Sequence, residues 1–119
     1  MAKVLLFNIT GDKQKKLRFL CMQYGITVLE GRGEDCNKPL GTLLGRAGFS
    51  AAPGLDAPFS EEMLVLDGLS SDQFHGLLNG MKMLQATVTY KAVTTKHNLG
   101  WTPSRLFREL AAEHAALNS

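Results

Sequence analysis

The stretch Met63–Thr95, MLVLDGLSSDQFHGLLNGMKMLQATVTYKAVTT, has the pattern of a strand, a helix and a second strand. Met63–Leu66 is a short run with apolar residues at both odd and even positions, which predicts a strand covered on both faces. Ser70 and Gln73 match a capping box, which predicts that a helix begins beside them. The apolar residues that follow recur at helical spacing and predict one buried stripe: Phe74, Leu77, Leu78, Met81 and Leu84.

The end of this stretch is rich in β-branched residues and predicts a second strand over Thr87–Thr95. Alternation predicts that Val88, Tyr90 and Ala92 share one face of that strand. Lys91 is expected to point outward, which is typical of an edge strand.

The rest of the chain continues the alternation of strands and helices. Two further strands are predicted at Val4–Ile9 and Ile26–Glu30, separated by a helix over about Asp12–Tyr24. A short helix is expected over Pro39–Arg46, and Ala47–Pro58 is expected to be a loop. The last helix is predicted to begin with Thr102 as its N-cap and Pro103 in its first turn, with a buried stripe at Leu106, Phe107, Leu110, Ala111, His114 and Leu117.

This order predicts a single α/β domain over residues 1–119, with four mainly parallel strands between two layers of helices. The two continuously apolar strands are expected in the centre of the sheet. The alternative is a ferredoxin-like α+β fold whose halves are Val4–Glu30 and Met63–Thr95. In a parallel sheet, the loops that follow all four strands would meet at one edge, where open α/β sheets bind ligands.

Composition limits the class of protein. A chain of 119 residues with 45% apolar residues can bury a core without disulfides, and its net charge of +2 does not favour nucleic acid as a partner. Cys21 and Cys36 lack the spacing of a zinc site, so no metal or cofactor is expected. No segment has the length of a membrane span or the pattern of a signal peptide, so we expect a cytoplasmic protein without a membrane partner.

The second half resembles a family of small bacterial domains of unknown function. The resemblance lies in LDGLSSDQF and in YKAVTTKHNLGWTPSRLFRELAAEH, and it extends over about Met63–His114. It implies a bacterial origin and supplies no catalytic residues.

Polar residues near the predicted strand ends are the candidate ligand contacts. Ser70 and Ser71 stand at a helix start, where backbone N–H groups can hold a phosphate or carboxylate. Thr95 ends the last predicted strand, His97 and Asn98 follow it, and Arg32 follows the second strand. The sequence presents no catalytic set, because a thiol enzyme would need His97 beside Cys36 as its base.

These patterns favour a non-enzymatic protein-interaction or regulatory module that binds itself as a homodimer or binds another protein. Phe49, Phe59 and Met83 are expected to be apolar at its surface. The first alternative is a binder of a small anion or a nucleotide-like ligand at the strand ends. The second is a thiol-dependent enzyme.

Overall fold

The computed structural model describes residues 1–49 and 57–117, so most of the expected loop at Ala47–Pro58 lies outside the described residues. Strands and helices alternate, as predicted. Two short 3₁₀ helices lie at Gly33–Asn37 and Asn98–Gly100. The main elements are β1 (Lys3–Phe7), α1 (Gly11–Gln23), β2 (Thr27–Gly31), α2 (Leu40–Leu43), β3 (Met63–Asp67), α3 (Ser71–Met83), β4 (Tyr90–Val93) and α4 (Pro103–Leu117).

The four strands form one mixed sheet in the order β2-β1-β3-β4. β1 pairs with β2 in parallel and β3 pairs with β4 in parallel, so two of the three pairings have the predicted direction. The central pair, β1 and β3, is antiparallel. The α/β class and the central and edge positions of the strands are confirmed, whereas the expectation that all four loops meet at one edge is wrong.

The ferredoxin-like alternative is not the observed fold. In that fold the two strands of each half are separated by a strand from the other half, whereas here each half keeps its strands adjacent and parallel. Each half is therefore a βαβ unit with a helical crossover.

Helices cover both faces of the sheet. α1 and α3 pack on one face over Val4, Leu6, Leu64 and Leu66, which alternate along the two central strands. α2 and α4 cover the other face, where Leu5, Phe7, Met63 and Val65 point. The side chains of both central strands are buried throughout except at Lys3, which explains why their sequences lack the alternation of a one-sided strand. No helix in the described part of the chain is long and apolar enough to cross a membrane.

The two βαβ units are copies of one framework. Lys3 and Met63 begin equivalent strands, and Gly11 and Ser71 begin helices of equal length, each pair separated by 60 residues. Leu5 pairs with Val65, its own equivalent, so a pseudo-twofold axis passes between them. We call Lys3–Gly31 the first unit and Met63–Val93 the second unit.

The two long helices of these units end in the same way. Gly25 follows α1 with φ +68°, and Gln85 follows α3 with φ +56°. The next residue in each case, Ile26 or Ala86, donates its N–H to the carbonyl five residues earlier at 2.8 Å. Both ends are Schellman motifs, which favour glycine at the left-handed position, and only the first unit has glycine at that position.

The predicted helix starts are also confirmed. The Ser70 hydroxyl accepts a hydrogen bond from the Gln73 N–H at 3.2 Å, and the Gln73 side chain accepts one from the Ser70 N–H at 2.9 Å. Thr102 caps α4 through a hydrogen bond from the Arg105 N–H to its hydroxyl, with Pro103 as the first helical residue.

Two details of the predicted faces are wrong. Val88 belongs to the core under α1 and α3, whereas Tyr90 and Ala92 face α4, because the chain bends at Thr89 before β4 begins. On α4 the buried stripe extends only as far as Ala111, and the last residues of the helix are exposed, His114 and Leu117 among them.

Candidate functional site

The side chain with the most distinctive environment is Asp67, the last residue of β3. It is only 3% exposed and is one of three buried polar or charged residues in the described chain. Its equivalent in the first unit is Phe7, so a carboxylate occupies a position where the other copy of the framework has an apolar ring. A buried carboxylate needs compensating hydrogen bonds or charge.

Two donors converge on one oxygen of Asp67. Nη2 of Arg46 lies 2.6 Å from Oδ1, and the hydroxyl of Thr94 donates to the same oxygen at 2.7 Å. Arg46 comes from the segment after α2 and Thr94 from the end of β4, so three separate parts of the chain meet here. Lys3 on β1 pairs with Asp67 across the sheet, and its ammonium group donates a hydrogen bond to the carbonyl of Leu44 at the end of α2.

The electrostatic consequence follows from these contacts. Burial alone would raise the pKa of Asp67, but the hydrogen bonds from Arg46 and Thr94, with the charges of Arg46 and Lys3, outweigh burial and hold that pKa below its ordinary value. The same hydrogen bond, followed by the charge of Asp67, raises the pKa of Arg46. Asp67 is therefore an anion at neutral pH.

A cavity of about 540 Å³ opens above this ion pair. It lies at the carboxyl ends of β3 and β4, which run in parallel, and the start of α3 forms one wall. We call it the Asp67 cavity, and it is bordered by Arg46, Leu66, Asp67, Gly68, Leu69, Ser70, Ser71, Phe74, Val93 and Thr94.

Of the candidate residues from the sequence, the structure brings Ser70 and Ser71 to this cavity. Ser70 uses its hydroxyl as the cap of α3, and Ser71 is exposed at the first helical position. Both residues lie where the sequence placed them, at the start of a helix that follows a central strand.

Thr95, His97 and Asn98 lie in the turn just beyond β4. Asn98 is buried and ties this turn together, because its Oδ1 accepts the N–H of Thr95 at 2.7 Å while its own N–H donates to the hydroxyl of Thr95. Its Nδ2 donates to the carbonyl of Val93 at 3.0 Å. The N–H of Thr94 donates to the carbonyl of Leu66 on β3 at 3.0 Å. The carbonyl of Val93 belongs to the same peptide group and points the opposite way, toward the outer edge of the sheet. Asn98 thus donates a hydrogen bond to a backbone carbonyl at the outer edge of the sheet, and its contacts hold the turn in place.

Arg32 lies at the opposite end of the sheet, because β2 and β4 run in opposite directions. Its backbone N–H donates to Asp35 at 2.9 Å. Cys36 follows β2 at the same end and is buried, whereas His97 is exposed beyond β4. Burial, which the charge of Arg18 only partly offsets, raises the pKa of the other thiol, Cys21, to about 11, so that thiol is protonated at neutral pH.

The sequence reasoning missed Arg46, Asp67 and Thr94. Asp67 had a usable signal, since a carboxylate directly follows four apolar strand residues. Arg46 had none, because its role depends on a tertiary contact across 21 residues. Within the described residues, no three His, Cys, Asp or Glu side chains are grouped as a metal site would require.

Comparison with known proteins relates one half of the chain to a family. Residues 62–117, which comprise the second unit and α4, match a family model described as a domain of unknown function, DUF3783. No curated protein and no solved structure matched the chain. The matched range confirms the resemblance seen from Met63 to His114, and it contains Asp67 and Thr94 but not Arg46.

Proposed function

We propose that this α/β domain is a non-enzymatic protein-interaction module that associates through the outer surface of α1 and α3, in the first place with a second copy of itself. The supporting observation is a groove of about 300 Å³ between these two helices. We call it the helix groove, and it is lined by Phe19, Leu20, Gln23, Tyr24, Gly76, Asn79, Gly80, Met83 and Leu84.

In the described part of the chain, no Asp, Glu, Lys, Arg or His lines the helix groove, although a fifth of the chain is charged. Met83 is 83% exposed and Phe19 is 49% exposed, and both are among the large apolar side chains that the described surface leaves in water. The centres of protein interfaces are depleted in charge and enriched in Tyr, Phe and Met. The composition of this groove is that of an interface centre.

Glycines explain why the groove exists. At Gly80 a Cβ would lie 2.5 Å from a methyl group of Leu20, and at Gly76 it would lie 2.3 Å from the ring of Tyr24. The two helices therefore approach closely at these glycines, and the larger side chains lie beside them. Because Leu20 and Gly80 are equivalent residues of the two units, the pseudo-twofold axis passes through this contact. In a homodimer of the usual isologous kind, each copy presents this same groove to the other.

Of the three residues expected to expose apolar surface, only Met83 does so to a large extent. Phe59 stacks on Phe107 at 4.8 Å and contacts Phe7 at 5.6 Å, so it is part of the core under α4. Phe49 is half-buried and packs its ring over Gly41.

Light scattering coupled to size-exclusion chromatography tests self-association. We expect a mass of twice 13.0 kDa at high protein concentration, and a shift to the monomer in Phe19→Glu and Met83→Glu. Leu117→Glu is the matched control, because it places the same charge on an exposed apolar residue of α4, outside the groove. A monomer at every concentration refutes self-association. The interaction module would then require a partner whose capture is lost in Met83→Glu and kept in Leu117→Glu.

A second candidate function, binding of a small anion or a nucleotide-like ligand, is supported by Arg46. Its guanidinium side chain remains 47% exposed at the Asp67 cavity after pairing with Asp67, and it retains donors for a phosphate or carboxylate. Asp67 opposes this role, since it already balances the charge of Arg46. A thermal-shift series with phosphate, citrate and nucleotides tests it: stabilisation that is lost in Arg46→Gln supports the site, and no shift with any of them excludes it.

A further inference from the structure

The two units differ sharply at three matched positions on their outer edges. In the first unit these positions hold Gln14, Arg18 and Glu30. Glu30 pairs with Leu6 across the sheet, just as Val93 pairs with Leu66 in the second unit. Sixty residues after Gln14 and Arg18, α3 carries Phe74 and Leu78.

The polar triad closes the edge of the first unit. Arg18 Nη2 lies 2.6 Å from one carboxylate oxygen of Glu30, and the Gln14 amide donates to the other oxygen. These bonds join α1 to β2 over the edge of the core. A framework of this kind can therefore be sealed by hydrogen-bonded side chains.

The second unit has no such seal. Phe74 and Leu78 are half-buried and Val93 is 51% exposed, so an apolar channel remains between α3 and β4. Beside it lies a cavity of about 470 Å³ that Phe74 and Leu78 share with Lys82 and Lys91. We call the channel and this cavity together the edge groove.

The charges at the edge groove have one sign. Lys82 stands in the last turn of α3 and Lys91 on β4, and the carbonyl of Val88 accepts a hydrogen bond from the Lys91 ammonium. Among the described residues, no acidic side chain lines the channel or the cavity. Apolar walls with two ammonium groups at one end complement a molecule that has an apolar body and one anionic head.

We propose that the edge groove binds a small amphipathic anion, with its alkyl or aromatic body against Phe74, Leu78 and Val93 and its carboxylate between Lys82 and Lys91. Burial of each methylene group contributes up to about 0.8 kcal/mol, which is roughly fourfold in affinity. Longer chains therefore bind more tightly until the groove is filled. This site is separate from the helix groove, and the proposal does not depend on self-association.

Decanoate, used below the concentration at which it forms micelles, is the probe. Calorimetry is expected to show binding, and amide NMR shifts are expected along α3 and β4. Hexanoate is expected to bind more weakly because its body is shorter. Decyltrimethylammonium is expected to bind more weakly still, because its charge is opposed by Lys82 and Lys91.

The decisive variant transfers the seal of the first unit to the second: Phe74→Gln, Leu78→Arg and Val93→Glu together. The wild-type chain already builds this triad on the same framework, so the variant has a structural precedent. Removal of the apolar walls is expected to weaken decanoate binding more than about tenfold. Val93→Glu alone changes a half-exposed residue and provides a second test if the triple variant does not fold. Lys82→Gln and Lys91→Gln are each expected to weaken binding about twofold to fivefold, as exposed ion pairs do.

Lys15→Gln on α1 is the control for loss of an exposed positive charge, and Met83→Glu is the control for the helix groove. Neither is expected to change the affinity for decanoate. The proposal is overturned if decanoate does not bind, if the folded triple variant binds it as the wild type does, or if the shifts lie elsewhere. A triple variant that changes the molecular mass in solution, with no effect on decanoate, assigns the groove to a second copy and also overturns the proposal.

Discussion

Replacement of Asp67 by Asn removes the only charge that β3 buries while keeping the shape of the side chain. Oδ1 of the amide can still accept the hydrogen bonds from Arg46 and Thr94, but neither bond then has a charged acceptor. A hydrogen bond to a charged group contributes about 1 kcal/mol more than a neutral one. Arg46 is half exposed and can turn to water, which reduces its share. We expect Asp67→Asn to lower the free energy of unfolding by about 1–2 kcal/mol at pH 7.

The same replacement has a defined pH dependence. The folded-state pKa of Asp67 is depressed, so its ionised form stabilises the fold at pH values above the ordinary pKa of about 3.9. That stabilisation is lost as the pH falls from there through the folded-state pKa. The difference between the wild type and Asp67→Asn should therefore be full at pH 7 and should shrink below about pH 4.

Urea unfolding followed by the fluorescence of Trp101, the single tryptophan, measures this difference at pH 7, 5 and 3. Glu109→Gln on the exposed side of α4 is the control and should change the free energy of unfolding by less than about 0.5 kcal/mol. An Asp67→Asn protein as stable as the wild type at pH 7, or a difference that stays constant down to pH 3, would refute the assignment of Asp67 as a charge held by its two donors.

Three further predictions concern the framework. Gln85→Gly should raise the free energy of unfolding by about 0.5–1 kcal/mol in thermal or urea melts, because φ is positive at this position. Gly25→Gln, at the matched position, should lower the free energy of unfolding by a similar amount. If both variants changed stability in the same direction, the two helix ends would not be equivalent. Gly31→Ala should cost more than about 2 kcal/mol in the same assay, since the new Cβ would lie 2.0 Å from the buried ring of Phe7, and a stability within error of the wild type would contradict that contact. Asn98→Ala should cost about 1–3 kcal/mol and speed amide exchange in the turn after β4, and unchanged exchange would show that the two hydrogen bonds of its side chain are dispensable.

The sequence was sufficient for the order of elements and for the burial of the two central strands. Hydrophobic period and capping residues are local signals, and Ser70 and Thr102 both cap helices as predicted. The direction of β3 relative to β1 has no local signal.

The same limit applies to the candidate site. Ser70 and Ser71 were predicted because their role is local, whereas Arg46 reaches Asp67 through the fold. The repeat was equally hard to see. Leu6 and Leu66, or Leu17 and Leu77, are identical pairs, but most matched positions differ because each unit buries a different set of neighbours.

The antiparallel seam between β1 and β3 determines when this chain can fold during synthesis. A ribosome completes the first unit long before Met63–Asp67 emerges, so one edge of Val4–Phe7 has no partner strand until Met63–Asp67 has been made. During that interval the nascent chain presents an unpaired, apolar strand, the kind of surface on which aggregation starts and chaperones act. Translation rate between the two units is therefore expected to influence yield more than translation rate within either of them.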